Sequence, residues 1–301
     1  GLPRPQGYGR TQLDGAHRIA DALKPHKGIV MWRAFVYNPS DEDRAKQAYQ
    51  EFMPFDGQFR DNVIVQVKNG PVDFQPREPF SPLFGAMKKT PIMAEFQITQ
   101  EYLGFSNHMA YLAPMWKECL DSDTYQQGEG STVARVTDGS IYSQKIKAIA
   151  GVANIGTDVN WCGHHLAQAN WYAFGRLAWN HELSSEEIVN EWITLTFRDA
   201  TDQSEEDFTA FKSKLETIMM ESREAVVNYM MPLGLHHLFA WGHHYGPEPW
   251  CDIPGARPDW MPSYYHKADA KGIGFNRSST GSKAAAQYQS PLRELYENVS
   301  T

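Results

Sequence analysis

The sequence predicts an α/β fold in its first part and a mainly helical arrangement in its second. Three observations predict it. Short, mostly apolar runs of strand length alternate with stretches of helical periodicity up to about residue 180. Strand and helix in repeated alternation imply parallel strands joined by right-handed crossovers. Beyond residue 180 the strand-like runs stop, and long amphipathic patterns take over.

Taken in order, residues 14–23 place Ala16, Ile19, Ala20 and Leu23 at helical spacing, with Pro25 as the stop. The run Ile29-Val30-Met31-Trp32-Arg33-Ala34-Phe35-Val36-Tyr37 lies between Gly28 and Asn38-Pro39 and reads as a buried strand. Residues 41–52 are compatible with a helix. Val63-Ile64-Val65-Gln66-Val67 is a β-branched run of the kind found where both faces of a strand are covered. Ile92-Met93-Ala94-Glu95-Phe96-Gln97-Ile98 gives a third strand, and residues 149–155 a weaker fourth. Helices are expected near 106–120 and over 163–179, where Leu166, Ala167, Asn170, Trp171, Phe174 and Leu177 keep helical spacing. Four strands are half of the roughly eight that close a barrel. The pattern therefore fits the second half of a barrel or a small open sheet.

In the second part, Ser184-Ser185-Glu186-Glu187 is a capping box ahead of Ile188, Trp192, Ile193 and Leu195. A longer helix is expected over 205–230, with Phe208, Phe211, Leu215, Ile218, Met219 and Val226 on its apolar face. From His236 onward little periodicity is visible. The domains read as 1–180 and 181–301.

Composition bounds the function. The 301 residues carry a formal net charge of −8 with 42% hydrophobic residues, enough for a sizeable core. An acidic balance without Lys/Arg-rich runs argues against nucleic acid or an anionic membrane as partner. No apolar run approaches the roughly 18 residues a membrane span needs. Three widely spaced cysteines, Cys119, Cys162 and Cys251, suit neither a disulfide framework nor a zinc site, and point to a reducing compartment. Localisation is otherwise open, with a cytoplasmic or periplasmic protein expected over a secreted one. The first residues contain no initiator Met and no leader, so the chain reads as a fragment.

In parallel α/β folds the reactive groups stand at the C-terminal ends of strands. The first strand carries Arg33. The second ends Lys68-Asn69-Gly70-Pro71-Val72-Asp73, and the third Thr99-Gln100-Glu101-Tyr102. Each has a structural alternative: Arg33 salt-bridged to a neighbouring strand, Lys68 paired with Asp73, Glu101 capping a helix. Jointly, two cations at one rim suit an anionic ligand, and two carboxylates beside them suit water activation at an acetal carbon. The pairs His164-His165, His236-His237 and His243-His244 invite a metal reading. Adjacent residues diverge by about 100° on a helix and to opposite faces on a strand, so such pairs seldom chelate one ion, and no metal or other cofactor is expected.

At these residues the sequence resembles the glycoside hydrolase family 67 α-glucuronidases. The resemblance is carried by Tyr8-Gly9-Arg10-Thr11 with Asp14-Gly15-Ala16, the stretch from Gly28 to Tyr37, Lys68-Asn69-Gly70-Pro71-Val72-Asp73-Phe74-Gln75, Gln97-Ile98-Thr99-Gln100-Glu101-Tyr102, Gly151-Val152-Ala153-Asn154-Ile155-Gly156, and Gly242-His243-His244-Tyr245-Gly246-Pro247. It implies the second part of a (β/α)8 barrel followed by a mainly helical C-terminal domain that supports a homodimer in the full-length protein. It also implies an inverting hydrolase that removes (4-O-methyl-)glucuronic acid from decorated xylo-oligosaccharides without a metal. Asp73 and Glu101 would then be the pair that orients and deprotonates water, and Arg33 and Lys68 the grip on the uronate carboxylate. The general acid, a Glu, would fall just upstream of Gly1, so the 301 residues alone are expected to be inactive and, with two open sheet edges, poorly folded. His243, His244 and Tyr245 would line a loop over the barrel mouth, and Trp250 or Trp260 would either wall the 4-O-methyl group or pack in a core. The alternatives are a truncated barrel that binds carbohydrate without turnover, and a hydrolase of another kind with metal at the His pairs.

Overall fold

A computed structural model of the chain describes residues 5–36, 43–72, 74–100, 103, 108–157, 159, 160, 162, 164–199, 204–231, 250, 251, 254, 267 and 274–298. Four strands, β1 (Val30–Arg33), β2 (Val63–Lys68), β3 (Ile92–Gln97) and β4 (Ile149–Val152), form one sheet in the order β1-β2-β3-β4. All three pairings are parallel, with Arg33 beside Gln66 and Lys68 beside Glu95. Helices α1 (Gln12–Leu23), α2 (Gln47–Phe52), α3 (Ala113–Asp121), α4 (Val133–Thr137) and α5 (Gln168–Trp179) accompany the sheet. Then follow α6 (Ser185–Phe197), α7 (Glu205–Met230) and α8 (Ser290–Asn298). This is a parallel half-barrel with its helices, followed by a helical C-terminal region.

Local chemistry explains most boundaries. Thr11 and Asp14 close a capping box at the start of α1, and Ser184 with Glu187 closes another at α6. The Ser204 side chain accepts from the Asp207 N–H ahead of α7. β1 is shorter than its apolar run because the Phe35 N–H turns back onto the Arg33 carbonyl at 2.8 Å. The helix expected near 106–120 begins only at Ala113, with Pro114 in its first turn. The residues before it are held by Asn170 of α5 instead, which accepts from the Leu112 N–H at 2.8 Å and donates to the Ala110 carbonyl at 2.9 Å.

Two departures are corrections. Ile218, expected on the apolar face of α7, is exposed; Ser222 and Arg223 are buried there, with the Arg223 guanidinium paired to Glu118 of α3. Helix α8 also stands where no periodicity was seen, because only Leu292 and Tyr296, one turn apart, pack against the core.

The sheet has two unlike faces. Side chains alternate along a strand, so the pairings put Val65, Val67, Ile92, Ala94 and Phe96 on one face, in the main hydrophobic core. There Trp116 of α3 is fully buried between Phe96 (ring centroids 5.7 Å) and Phe174 of α5 (6.3 Å, edge-on). The same core continues through Ile188, Val189 and Trp192 of α6 to Met219 and Val226 of α7. The C-terminal segment is strapped back onto the loop after β1: the Arg277 guanidinium donates twice to the buried Asp43 carboxylate (2.9 and 3.1 Å), and the Ser282 hydroxyl donates to it at 2.8 Å.

Trp116→Ala is expected to cost about 3–5 kcal/mol, the range for deleting a buried large aromatic, read by urea denaturation of the intact gene product. Burial by itself would raise the Asp43 pKa, but Arg277, Ser282 and the Ala45 N–H outweigh it and hold the carboxyl below its ordinary 3.8. A depressed carboxylate stabilises the fold above its unfolded-state pKa and loses that contribution as pH falls through the folded value. Amide protection of residues 274–288 is therefore expected to persist above about pH 4 and to be lost below it, and to be lost at neutral pH in Asp43→Asn.

Candidate active site

The second face of the sheet carries the polar groups, and it carries them at one end. Along β1 the order on this face is Met31 then Arg33; along β2, Ile64, Gln66, Lys68; along β3, Met93, Glu95, Gln97. Each strand begins apolar and ends polar. The C-terminal ends of parallel strands are where functional groups of such folds collect, and Gln66, Lys68, Glu95 and Gln97 are all buried there.

Arg33 is anchored across the sheet. Its Nε donates to both carboxylate oxygens of Glu95 at 2.9 Å, and its Nη2 donates to Glu95 Oε1. Glu95 has no exposed side-chain surface, whereas the Arg33 side chain is 39% exposed. The Gln66 amide, which lies between them on β2, donates to Glu95 Oε2 at 2.5 Å. A buried carboxylate needs such donors, and the fork fixes the guanidinium plane as a single charge contact would not. The structural alternative weighed for Arg33 thus exists, with a partner two strands away. Nη1 takes no part in it.

Lys68 is buried, and its ammonium lies 5.0 Å from the Phe35 ring centroid and 4.9 Å from that of Phe74. The Arg33 guanidinium carbon lies 5.2 Å from the same Phe35 ring. One aromatic ring therefore gathers both cations, by the attraction of a cation to a π face. The two cations predicted to share a rim do share it.

Asp73 and Glu101 lie outside the described residues, as do His236, His237, His243, His244, Tyr245 and Trp260. Their neighbours in the chain are described. Val72, Phe74 and Gln100 are buried, and the Gln100 amide donates to the Phe74 carbonyl at 2.6 Å. The segments that flank Asp73 and Glu101 are thereby tied to each other. Trp250 is 77% exposed. Burial holds the His164 pKa below its ordinary value, and the imidazole Nε2 stands 3.4 Å from the His108 carbonyl. Among the described residues no group of three or more His, Cys, Asp or Glu is placed to hold a metal ion. Cys119 is buried, its thiol donates to the Asn69 carbonyl at 3.5 Å, and burial pushes its pKa far up, so it is no nucleophile.

Glu95 and Gln66 were not singled out from the sequence. The signal was there: polar residues two apart in an otherwise apolar strand, Gln66 with Lys68 and Glu95 with Gln97, mark one face. Arg33→Ala is expected to destabilise the intact protein by about 3 kcal/mol, because it leaves a buried carboxylate short of its main partner. Arg33→Lys should recover only part of that, since an ammonium lacks the fork; chemical denaturation at neutral pH measures both.

Comparison with known proteins gives the same picture along the whole chain. Residues 1–161 match the glycosyl hydrolase family 67 middle domain and residues 162–301 the family 67 C-terminus. Among curated proteins, alpha-glucuronidase A of Emericella nidulans is 42% identical over 312 aligned residues, covering all of this chain and 35% of that protein. The alpha-glucuronidase of Hypocrea jecorina is 39% identical, again over all of this chain and 35% of its own length. A probable alpha-glucuronidase A of Aspergillus fumigatus is 42% identical with the same coverage. The chain thus spans about a third of the length of these relatives. With a parallel half-barrel, a polar C-terminal rim and matches to both of these family domains, the chain belongs to glycosyl hydrolase family 67.

Proposed function

We propose that these residues form part of an inverting α-glucuronidase that releases (4-O-methyl-)glucuronic acid from α-1,2-decorated xylo-oligosaccharides. The observation that carries the reading is the pair of cations, Arg33 and Lys68, gathered on the Phe35 ring at the C-terminal ends of neighbouring strands. A neutral sugar gives no reason to hold two positive groups at the rim of a barrel; a uronate does. On this reading Lys68 supplies a point charge to the substrate carboxylate, held in place by two aromatic faces. Arg33, with Nε and Nη2 engaged by Glu95, offers Nη1 in a fixed orientation.

Asp73 and Glu101 take the role of orienting water and drawing off its proton as it attacks the anomeric carbon. A general acid, which the family resemblance puts ahead of Gly1, protonates the leaving xylosyl oxygen. Inverting enzymes hold the general acid and the general base roughly 6.5–9.5 Å apart so that water fits on the far face of the sugar. Support comes from the flanks of the two carboxylates, tied through Gln100 and the Phe74 carbonyl. The curated relatives that bear the name alpha-glucuronidase add to it.

The test is made on the intact gene product with aldouronic acids. Asp73→Asn and Glu101→Gln are each expected to lower glucuronic acid release by about 10²–10⁴-fold, and proton NMR of the first turnovers should find the β-anomer. Wild-type-like release by both variants, or an α-anomer as first product, would overturn the reading. Lys68→Met is expected to raise KM for the uronate substrate by about tenfold or more, the worth of one charged contact, in a protein that still folds cooperatively.

A further inference from the structure

We propose that Glu78 is a positioning residue for this site: its buried carboxylate clamps the backbone on either side of Asp73 in the chain. The inference rests on the function proposed above and adds to it a residue that never touches the sugar. The turn follows β2 and returns on itself within a few residues. One oxygen of Glu78 accepts from the Val72 N–H at 2.8 Å, and the other from the Gln75 N–H at 3.1 Å. These two donors bracket Asp73 in the chain. A carboxylate that accepts two backbone N–H groups replaces the partners a strand or helix would otherwise supply.

The turn needs such a clamp. Phe74 sits at φ +61°, a left-handed conformation costly to a residue with a bulky side chain, and such strain persists only where the surroundings over-determine it. Three contacts do so: the Glu78 carboxylate, the Gln100 amide on the Phe74 carbonyl, and the Lys68 ammonium over the Phe74 ring. Room for the carboxylate comes from Gly70, where an added Cβ would fall 2.0 Å from Glu78 Cδ.

Placing the carboxylate there has a cost. Burial raises its pKa to about 7, although both backbone bonds and the charges of Lys68 and Arg277 pull it down. The other charged or titratable groups on this side are Arg77, next to it in the chain, Glu118 and Cys119 of α3, and Tyr288 and Tyr296 of the C-terminal segment; the Arg77 guanidinium is paired with Glu224 of α7. Since the folded-state pKa lies above the ordinary 4.5, the folded chain holds the proton more tightly than the unfolded one between about pH 4.5 and 7, and Glu78 contributes less stability as pH rises through that window. A residue chosen for stability alone would not be a carboxylate. The ionised form, which makes the better acceptor, is the one that serves the turn.

The experiment compares the wild type, Glu78→Gln, Glu78→Asp and Gly70→Ala in the intact gene product. An amide in place of the carboxylate keeps one acceptor and points a donor at the second N–H. Misplacing a reacting group by about 1 Å is enough for a 10²-fold loss, so kcat for glucuronic acid release is expected to fall about 10- to 100-fold in Glu78→Gln and in Gly70→Ala. KM should stay within about threefold. Wild-type kcat is expected to rise with pH near 7 as Glu78 ionises, that rise should vanish in Glu78→Gln, and Glu78→Asp should lie between. Hydrogen exchange of the Val72 and Gln75 amides should quicken in both Glu78→Gln and Gly70→Ala. Wild-type kcat and wild-type exchange in Glu78→Gln would overturn the proposal. If the variants do not fold, exchange in the wild type decides: the Val72 and Gln75 amides should be protected at neutral pH, and exchange of both at the intrinsic rate overturns the clamp. A wild type that folds but releases no glucuronic acid refutes the function proposed above, while the exchange measurements still judge the clamp.

Discussion

The polar end of the sheet depends on one ion pair, Arg33 of β1 with Glu95 of β3. It reaches over the intervening strand and takes in Gln66 on the way. A carboxylate with no exposed surface is tolerated in a sheet only if its oxygens are met by donors, and here the guanidinium fork and one amide meet them. The pair sets the plane of Arg33, which places the guanidinium against Phe35, and Phe35 is also where the Lys68 ammonium rests. Remove Glu95 and the rim keeps both cations but loses the contact that fixes the plane of one of them.

The rest of the rim is built by the same means: buried polar groups that hold backbone. Glu78 serves the turn after β2, and Gln100 joins that turn to the end of β3. Asn170 holds the approach to α3, and Asp43 receives the C-terminal strap. Loops over a parallel sheet have few partners for their own N–H and C=O groups. Side chains from distant parts of the chain supply them, and the loops gain a defined shape from contacts that are long-range in sequence.

This division of labour explains the two faces of the sheet. The outer face is a continuous apolar layer that packs α3 and α5 against the strands through Phe96, Trp116 and Phe174. It runs on without a break into α6 and α7. The rigidity of that layer is what allows the opposite face to hold charge at fixed places, because strands packed to native density do not shift to relieve an electrostatic strain.

How much of this was legible beforehand follows from the range of the forces involved. Strands at residues 63–68 and 92–97, the capping box at Ser184 and the extent of α7 follow from interactions within a few residues, so the sequence by itself determined them. It also put Lys68 at the end of one strand-like run and Arg33 within another; that β1 stops at Arg33, so that both cations stand at one end of the sheet, was decided by the turn at Phe35 and by the strand order. Tertiary structure alone decided that Arg33 meets Glu95, 62 residues on, that Glu78 folds back under Gly70, and that Arg277 meets Asp43 across 234 residues. It also decided the short helix α8, whose two core contacts are too few to make a period. Pairings of that kind depend on register and on which loops come to share a volume, and those are properties of the folded whole that no local pattern encodes.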